Sequence, residues 1–228
     1  MGYEKITCNG NEGKQEYEPN VGIKLIEKLK GQYGTGIDVI VGDAIYLNEK
    51  VIKAVKKEKY IGVFRLKENN RKIYEDAKGL FKIQKSEEFK HKGQKIKYWT
   101  DVFEYKGSKV RVIKYLEQEE KEIYIVCTDV NLDERTVNKI IHARWEIENE
   151  GFNELKNGWN MKHCYMADEN GIDVILEMII MSYNLWELYL YGHLHNFKDS
   201  GITKRGYIDE IRERIYIANS DILGFSSA

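Results

Sequence analysis

The sequence predicts an α/β core interrupted by a β-rich insertion and followed by a helical C-terminal part. Three observations predict it. Residues 21–66 alternate helical and apolar-strand signals. Residues 95–130 switch to β-rich runs separated by turn residues, and from residue 133 onward the apolar residues recur mostly at helical spacing.

Taken in order, residues 3–7 (YEKIT) predict a short strand, and the polar NGNEGKQEYEPN that follows reads as a loop holding the only proline, Pro19. In VGIKLIEKLK (21–30), Val21, Leu25, Ile26 and Leu29 fall on one helical face, and GQYGTG then breaks the chain. The apolar IDVIVG (37–42), flanked by glycines, suits a buried strand and leads directly into Asp43. NEKVIKAVKK predicts a helix over 48–57 capped by Asn48, and YIGVFRL (60–66) a second buried strand. Helix, strand, helix, strand is the pattern of a partly parallel sheet with covering helices. KIKYWTDVFEY (95–105), SKVRVIKYLE (108–117) and EIYIVCTDV (122–130) predict an antiparallel meander, with Lys106-Gly107 and residues 118–121 at the turns. The insertion therefore spans roughly 85–130. Helices are expected over 133–157, 171–197 and 204–217, with no repeat and no long linker.

A chain of 228 residues suits one domain with an insertion or two small ones, and is long enough to bury a sizeable core. Apolar residues make up 42%, which excludes a disordered chain. The 36 basic and 37 acidic residues leave a net charge of −1, so any basic surface must be local. Cys8, Cys127 and Cys164 are widely spaced and odd in number, the pattern of free thiols in a reducing compartment. The start carries no apolar leader core, and the most apolar window, 174–190, holds Glu177, Asn184 and Glu187; a cytoplasmic protein with no membrane span is expected.

Two places carry candidate chemistry. Asp43 follows a buried strand, and in open α/β sheets ligands sit in the crevice beyond the strand ends; a turn or capping aspartate is the plainer alternative. The second is HARWEIENEGFNELKNGW (142–159). On a helix, Arg144, Glu148 and Phe152 share a row with Lys156 one turn on, while Ile140, Ile147, Gly151 and Leu155 form a neighbouring apolar stripe expected to face the core. Glu148 could be a metal ligand, with Arg144 and Lys156 gripping phosphates, or the row could be a solvated face of i,i+4 ion pairs. Taken together, a strand-end Asp and a helical Glu are hard oxygen donors suited to Mg²⁺ or Mn²⁺, and two-metal sites use such carboxylates around a scissile phosphate.

GIDVIVGDAIYLN together with RWEIENEGFNELKNGWNMKHCY resembles the catalytic region of bacterial insertion-sequence transposases of the DDE class, in the insertion sequence four group. The similarity runs from about residue 10 to 190. It implies a ribonuclease-H-like core with a β-rich insertion before the last acidic residue, and a transposase catalytic domain over residues 1–228. The triad's second acidic residue maps onto Asp43 in Asp43-Ala44-Ile45-Tyr46, and the third onto Glu148, with Arg144, Trp145 and Ile147 beside it and Lys156 as the signature lysine. The resemblance implies Mg²⁺- or Mn²⁺-dependent cleavage and transfer of DNA strands. Asp43 and Glu148 would be the metal ligands, and Arg144 and Lys156 the DNA contacts. Transposon ends and target DNA would be the partners, and a homodimer is possible.

Three departures from the pattern stand out. Ile141 occupies the signature tyrosine position, with His142 next to it. Seven residues separate Glu148 from Lys156, against the usual six. No strand-borne aspartate precedes Asp43: Asp38 lies on the same strand at odd spacing, which aims it at the opposite face. The first triad aspartate is thus unassigned, and the expectation is a core lacking its first strands. The alternative is a catalytically inactive transposase remnant that only binds DNA or a protein.

Other candidates are weaker. His193 and His195 have no third ligand in sequence, and His163-Cys164 fits no zinc spacing. Cys127 and Cys164 sit in no nucleophile motif. Tyr183, Trp186, Tyr189 and Tyr191 are spaced as core aromatics more than as a base-stacking face. The lysines of FKIQKSEEFKHKGQKIKYW (81–99) could track a DNA backbone or belong to a solvated hairpin.

Overall fold

The computed structural model describes residues 8–9, 14–15, 17–91, 93–117, 121–163, 165, 167–193 and 201–222, without the side chains at 8–9, 14–15, 146, 148, 169, 193 and 218–222. The strand expected over 3–7 lies outside the described residues. The chain divides into two compact units, residues 2–154 and residues 155–228.

The first unit is built on a six-stranded sheet. After a two-residue hairpin, β1 (Cys8–Asn9) and β2 (Lys14–Gln15), come α1 (Glu18–Tyr33), β3 (Val39–Gly42), α2 (Glu49–Lys57), β4 (Ile61–Leu66) and α3 (Arg71–Ile83). Then follow β5 (Glu87–His91), β6 (Gln94–Tyr105), β7 (Ser108–Leu116), β8 (Glu122–Cys127) and α4 (Glu134–Glu146). The strand order is β3-β4-β8-β7-β6-β5, with β3 parallel to β4 and every other neighbour antiparallel. The alternation expected over 21–66 is therefore present. The insertion is not a separate body: β8 pairs with β4, Phe64 opposite Val126, so the meander prolongs the core sheet.

Both sheet faces are covered, which explains why β8 is buried along Ile123–Cys127 without alternation. On one face Phe64, Leu66, Val110, Val112, Tyr124 and Val126 pack with Val51, Ile52 and Val55 of α2 and with Ile73, Ala77 and Phe81 of α3. On the other, Val63, Ile113, Tyr115, Ile123, Ile125 and Cys127 pack with Val137 and Ile141 of α4. The period-two side-chain alternation of β4, β7 and β8 sends neighbouring residues into opposite layers. Local signals set the ends. Asn48 caps α2 through its side chain, 3.0 Å from the Val51 amide, and Asp133 caps α4, 3.0 Å from the Thr136 amide. Lys106 and Gly107 both take positive φ in the β6–β7 hairpin, as a tight primed turn requires.

Four elements were not expected from sequence: β1 and β2, which pair within the stretch read as a loop, and α3 and β5; α1 also begins at Glu18, so Pro19 stands in its first turn. A further difference lies in the helix predicted over 133–157. It is α-helical only to Glu146; Ile147–Phe152 forms a π-helical turn, and α5 (Asn153–Asn157) resumes the α-helix. A π turn takes more residues per revolution, so the i,i+4 alignment assumed for this stretch slips. Ile147, expected on the core-facing stripe, is accordingly 52% exposed, and Phe152 is also exposed, whereas Ile141, Gly151 and Leu155 are buried.

In the second unit, α6 (Glu169–Leu188) is capped by Asp168, 2.8 Å from the Gly171 amide, and ends in a π turn over Tyr189–His193. It is followed by α7 (Lys204–Ile222), tied to α6 by the Lys204–Glu187 pair at 2.5 Å. Tyr183 is buried, whereas Tyr189 and Tyr191 are exposed; Trp186, Tyr189 and Tyr207 form a ring cluster with centroids 6.2–6.5 Å apart. No helix among the described residues is long and apolar enough to cross a membrane.

Gly62 shows how tightly β4 is packed: a Cβ there would lie 2.5 Å from the Phe64 ring and 3.1 Å from Thr128 Cγ2. Gly62→Ala is expected to destabilise the protein by about 1–3 kcal/mol through overpacking, and Asn48→Ala by about 1 kcal/mol through loss of the cap; denaturant midpoints at unchanged slope would show both.

Candidate functional site

Asp43 is the first residue past β3 and opens a 3-10 turn, Ala44–Tyr46. Because β3 and β4 are parallel, their carboxyl ends lie side by side, and the crevice beyond them is a cavity of about 700 Å³. Its lining includes Asp43, Arg65, Lys67, Asn69 and Glu122. Asp43 thus lines the cavity, and β3, expected to be a buried strand, is the edge strand of the sheet and is only half-buried over Val39–Val41. Asp38 is exposed at the opposite end of β3, where its carbonyl accepts from the Ile61 amide at 2.8 Å.

Three contacts fix the turn that carries Asp43. The Tyr46 hydroxyl donates to Glu18 of α1 at 2.7 Å, with its ring over Gly22, where a Cβ would come within 2.7 Å. Asn69 donates to the Ala44 carbonyl at 3.2 Å, and Tyr105 of β6 to the Leu47 carbonyl at 3.1 Å. The tyrosine of Asp43-Ala44-Ile45-Tyr46 therefore clamps the turn to α1. Burial and the Glu18 carboxylate together push its hydroxyl pKa well above the ordinary value.

The Asp43 carboxylate is asymmetric. Oδ2 lies 3.3 Å from Lys67 Nζ, a half-exposed pair of a kind worth under about 1 kcal/mol. Oδ1 is buried and has no hydrogen-bond partner among the described residues, although the Ala44 amide lies near the carboxylate. Burial pushes the Asp43 pKa up, but the Ala44 amide, the Lys67 ammonium and the Arg144 guanidinium outweigh it and hold the carboxyl below its usual range.

That Arg144 acts on Asp43 follows from how α4 is laid across the sheet. Arg111 of β7 reaches Glu134 at 2.7 Å and the Leu132 carbonyl at 3.1 Å, and the Tyr115 hydroxyl donates to the Glu134 carbonyl at 2.6 Å. These bonds pin the start of α4 at β7. From there it crosses to β4 and β3. A helix of 13 residues is about 20 Å long and spans four strands at about 4.8 Å spacing. Its last turn thus arrives at the β3 side carrying Arg144. Trp145, expected to pack, does so against the α4-side core.

Glu148 lies in the π turn directly after α4, and its side chain is outside the described residues. Lys156 is exposed on α5 and belongs to the second unit. His142, next to the missing signature tyrosine, is held by Glu117 at 2.8 Å. It faces a separate cavity of about 300 Å³ with His91 and Trp145, not the one Asp43 lines. Cys127 is buried and its thiol is pushed up to about 11 by that burial, which removes it as a nucleophile. His195 and Cys164 lie outside the described residues, as does the His193 side chain, and His163 is exposed. In the β5–β6 hairpin Lys95 pairs with Glu88 at 3.1 Å and Tyr98 donates to Glu87 at 2.5 Å, the charge-mixed arrangement.

Sequence reasoning missed Lys67 and Arg65. The signal available was their place at and just past the end of the second buried strand, beside the first strand's aspartate.

The site is a strand-end carboxylate paired with Lys67, within the field of Arg144, lining a cavity of a three-layered α/β domain. The model of the transposase DDE domain matches residues 7–185, and the chain belongs to that family. None of the curated proteins matches it.

Because its pKa is lowered in the folded state, ionised Asp43 stabilises the fold above the unfolded-state value, and that contribution is lost as pH falls through the lowered one. Arg144→Ala removes one of the cations responsible. It should raise the Asp43 pKa and move the onset of acid destabilisation to higher pH, read by carboxylate NMR titration and by melting between roughly pH 5 and pH 2.

Proposed function

We propose that this chain carries catalytic carboxylates of a DNA transposase of the insertion sequence four group, set on a ribonuclease-H-like core. The observation that carries the reading is Asp43: a cavity-lining carboxylate at the end of the sheet's edge strand, with one buried oxygen that no side-chain donor among the described residues satisfies.

A buried, unpartnered carboxylate oxygen fits the role of a hard-cation ligand. Among the described residues no three His, Cys, Asp or Glu cluster to hold a metal; the resemblance to the family makes Glu148, whose side chain lies outside them, the further donor of this reading. Bound Mg²⁺ or Mn²⁺ would polarise the attacking oxygen and stabilise the leaving one.

The chain's own residues do the rest. Asp43 and Glu148 would hold the ions. Arg144 offers a planar fork to a phosphate, and Lys156 adds a point charge. Tyr46 and Asn69 keep the Asp43 turn from yielding when charge builds up at the phosphate. In the first step water attacks phosphorus and the bond to the 3′ oxygen breaks, leaving a 3′-hydroxyl and a 5′-phosphate. In the second, that hydroxyl attacks a phosphorus of target DNA and displaces the target's own 3′ oxygen. Transposon ends and target are the DNA partners, the transposase catalytic region runs over residues 1–228 with the insertion at about 85–130, and the protein works in the cytoplasm, with a homodimer as the arrangement to be tested by light scattering.

The test is a thermal-shift titration with Mn²⁺, paired with a strand-cleavage assay on transposon-end DNA. The wild type should melt several degrees higher at saturating Mn²⁺, by mass action on the folded state. Asp43→Asn and Glu148→Gln should each abolish that shift and cut cleavage by at least about a hundredfold. Equal melting with and without metal, alongside retained DNA binding, would instead support a non-catalytic DNA-binding module.

A further inference from the structure

The Asp43 cavity holds a cation of its own. Lys67 Nζ lies 3.3 Å from Asp43 Oδ2, and both residues line the cavity together with Arg65 and Asn69. We propose that Lys67 is a positioning residue: its ammonium occupies the cation place on Asp43 when no divalent ion is bound, and moves to a phosphate oxygen of the DNA strand when one is. This rests on the reading of Asp43 as a metal ligand and adds to it a competition built into the site.

The backbone of Lys67 is fixed while its head group is free to move. Leu66, the residue before it, is buried and paired opposite Tyr124. Asn69, two residues on, is hydrogen-bonded to the Ala44 carbonyl in the turn that carries Asp43. Between these anchors the lysine side chain is half exposed, so the ion pair can open without moving a strand. A four-carbon stem ending in a compact, rotatable ammonium suits such a move better than a planar guanidinium would.

An ammonium and a divalent ion cannot both bear on one carboxylate without strong mutual repulsion, so arrival of the ion expels the lysine. Of the other carboxylates lining the cavity, Glu122 already holds Lys114 at 2.5 Å, and Glu68 is the adjacent residue. In a DNA-loaded crevice the anion newly offered is a phosphate. The same charge that blocks the ion in the empty site therefore binds the substrate in the loaded one, which couples metal entry to DNA entry.

The experiment measures Mn²⁺ binding by calorimetry on the full chain without DNA, for wild type, Lys67→Met, Lys67→Gln and Asp43→Asn. Binding of duplex DNA is measured in Ca²⁺ over a range of salt. Removing the competitor should tighten Mn²⁺ binding by about threefold to tenfold in both Lys67 variants. The same variants should bind DNA more weakly, with a salt slope lower by about one. A lysine that merely props up the fold would not tighten metal binding when removed. Unchanged or weaker Mn²⁺ affinity in the Lys67 variants, with binding still lost in Asp43→Asn, overturns the role of Lys67 alone. Equal Mn²⁺ affinity in wild type and Asp43→Asn overturns the metal-ligand reading and this one with it.

Discussion

One aromatic ring sets the geometry on which the site depends. Phe64 is fully buried at the centre of the α1–α3 side of the sheet, and it lies against two glycines, one on its own strand and one on its neighbour. A Cβ at Gly42 would meet the ring at 3.0 Å, and one at Gly62 at 2.5 Å. Gly42 is also the residue paired with Phe64 across the β3–β4 ladder. The ring thus occupies space that side chains at those positions would fill, and the chain before Asp43 has no freedom to ride up or down on the sheet. Tyr46 closes the other side: its Cβ also stands 3.0 Å from a Cβ at Gly42, and its ring rests on Gly22 of α1. The carboxylate position is a packing consequence, delivered by residues that do no chemistry.

A second consequence of the sheet is the path of α4. The insertion strands supply the anchors for its start, since Arg111 and Tyr115 are on β7 and both bind the chain at Glu134 or just before it. The β-rich insertion therefore does more than lengthen the sheet. It sets the point from which α4 sets out across β4 and β3, and hence where Arg144 arrives. A helix pinned at one end and packed along its length by Val137 and Ile141 has little freedom left at its far end. The π turn begins there. Such turns are costly relative to regular helix and cluster at functional places, and this one contains Glu148.

Much of this was legible in the sequence, for reasons that can be named. The strands over 39–42 and 61–66 showed as short apolar runs because both faces of the sheet are covered. The Asn48 cap showed because an N-cap needs a side-chain oxygen at that point in the chain, and the Lys106-Gly107 hairpin because tight turns need positive φ. Helix α3 carries the same kind of signal, with Ile73, Ala77 and Phe81 four apart and buried, but it falls in a charged stretch between two more apolar strands. The π turn was illegible because Ile140, Ile147, Gly151 and Leu155 satisfy a regular helical stripe. Nothing in residue spacing announces one extra residue in a turn, and its effect is seen only in the exposure of Ile147. Asp43 was legible as a strand-end residue. Its neighbours Lys67 and Arg144 were not legible as neighbours, since they come from 24 and 101 positions away through the sheet order and the crossing of α4.

The near-zero net charge of the chain says nothing about this site, because charge acts through its placement. Two cations converge on one carboxylate, one through a contact at 3.3 Å and the other through its field. In a purely structural ion pair a single cation would satisfy the aspartate, and both of its oxygens would be bonded. Here one oxygen is engaged by a half-exposed ammonium, while the other is buried and has no side-chain partner among the described residues. Buried acceptors are ordinarily hydrogen-bonded, and this one lies on a residue that lines a cavity. Arg65 and Lys67 line the same cavity, so positive charge stands beside that oxygen.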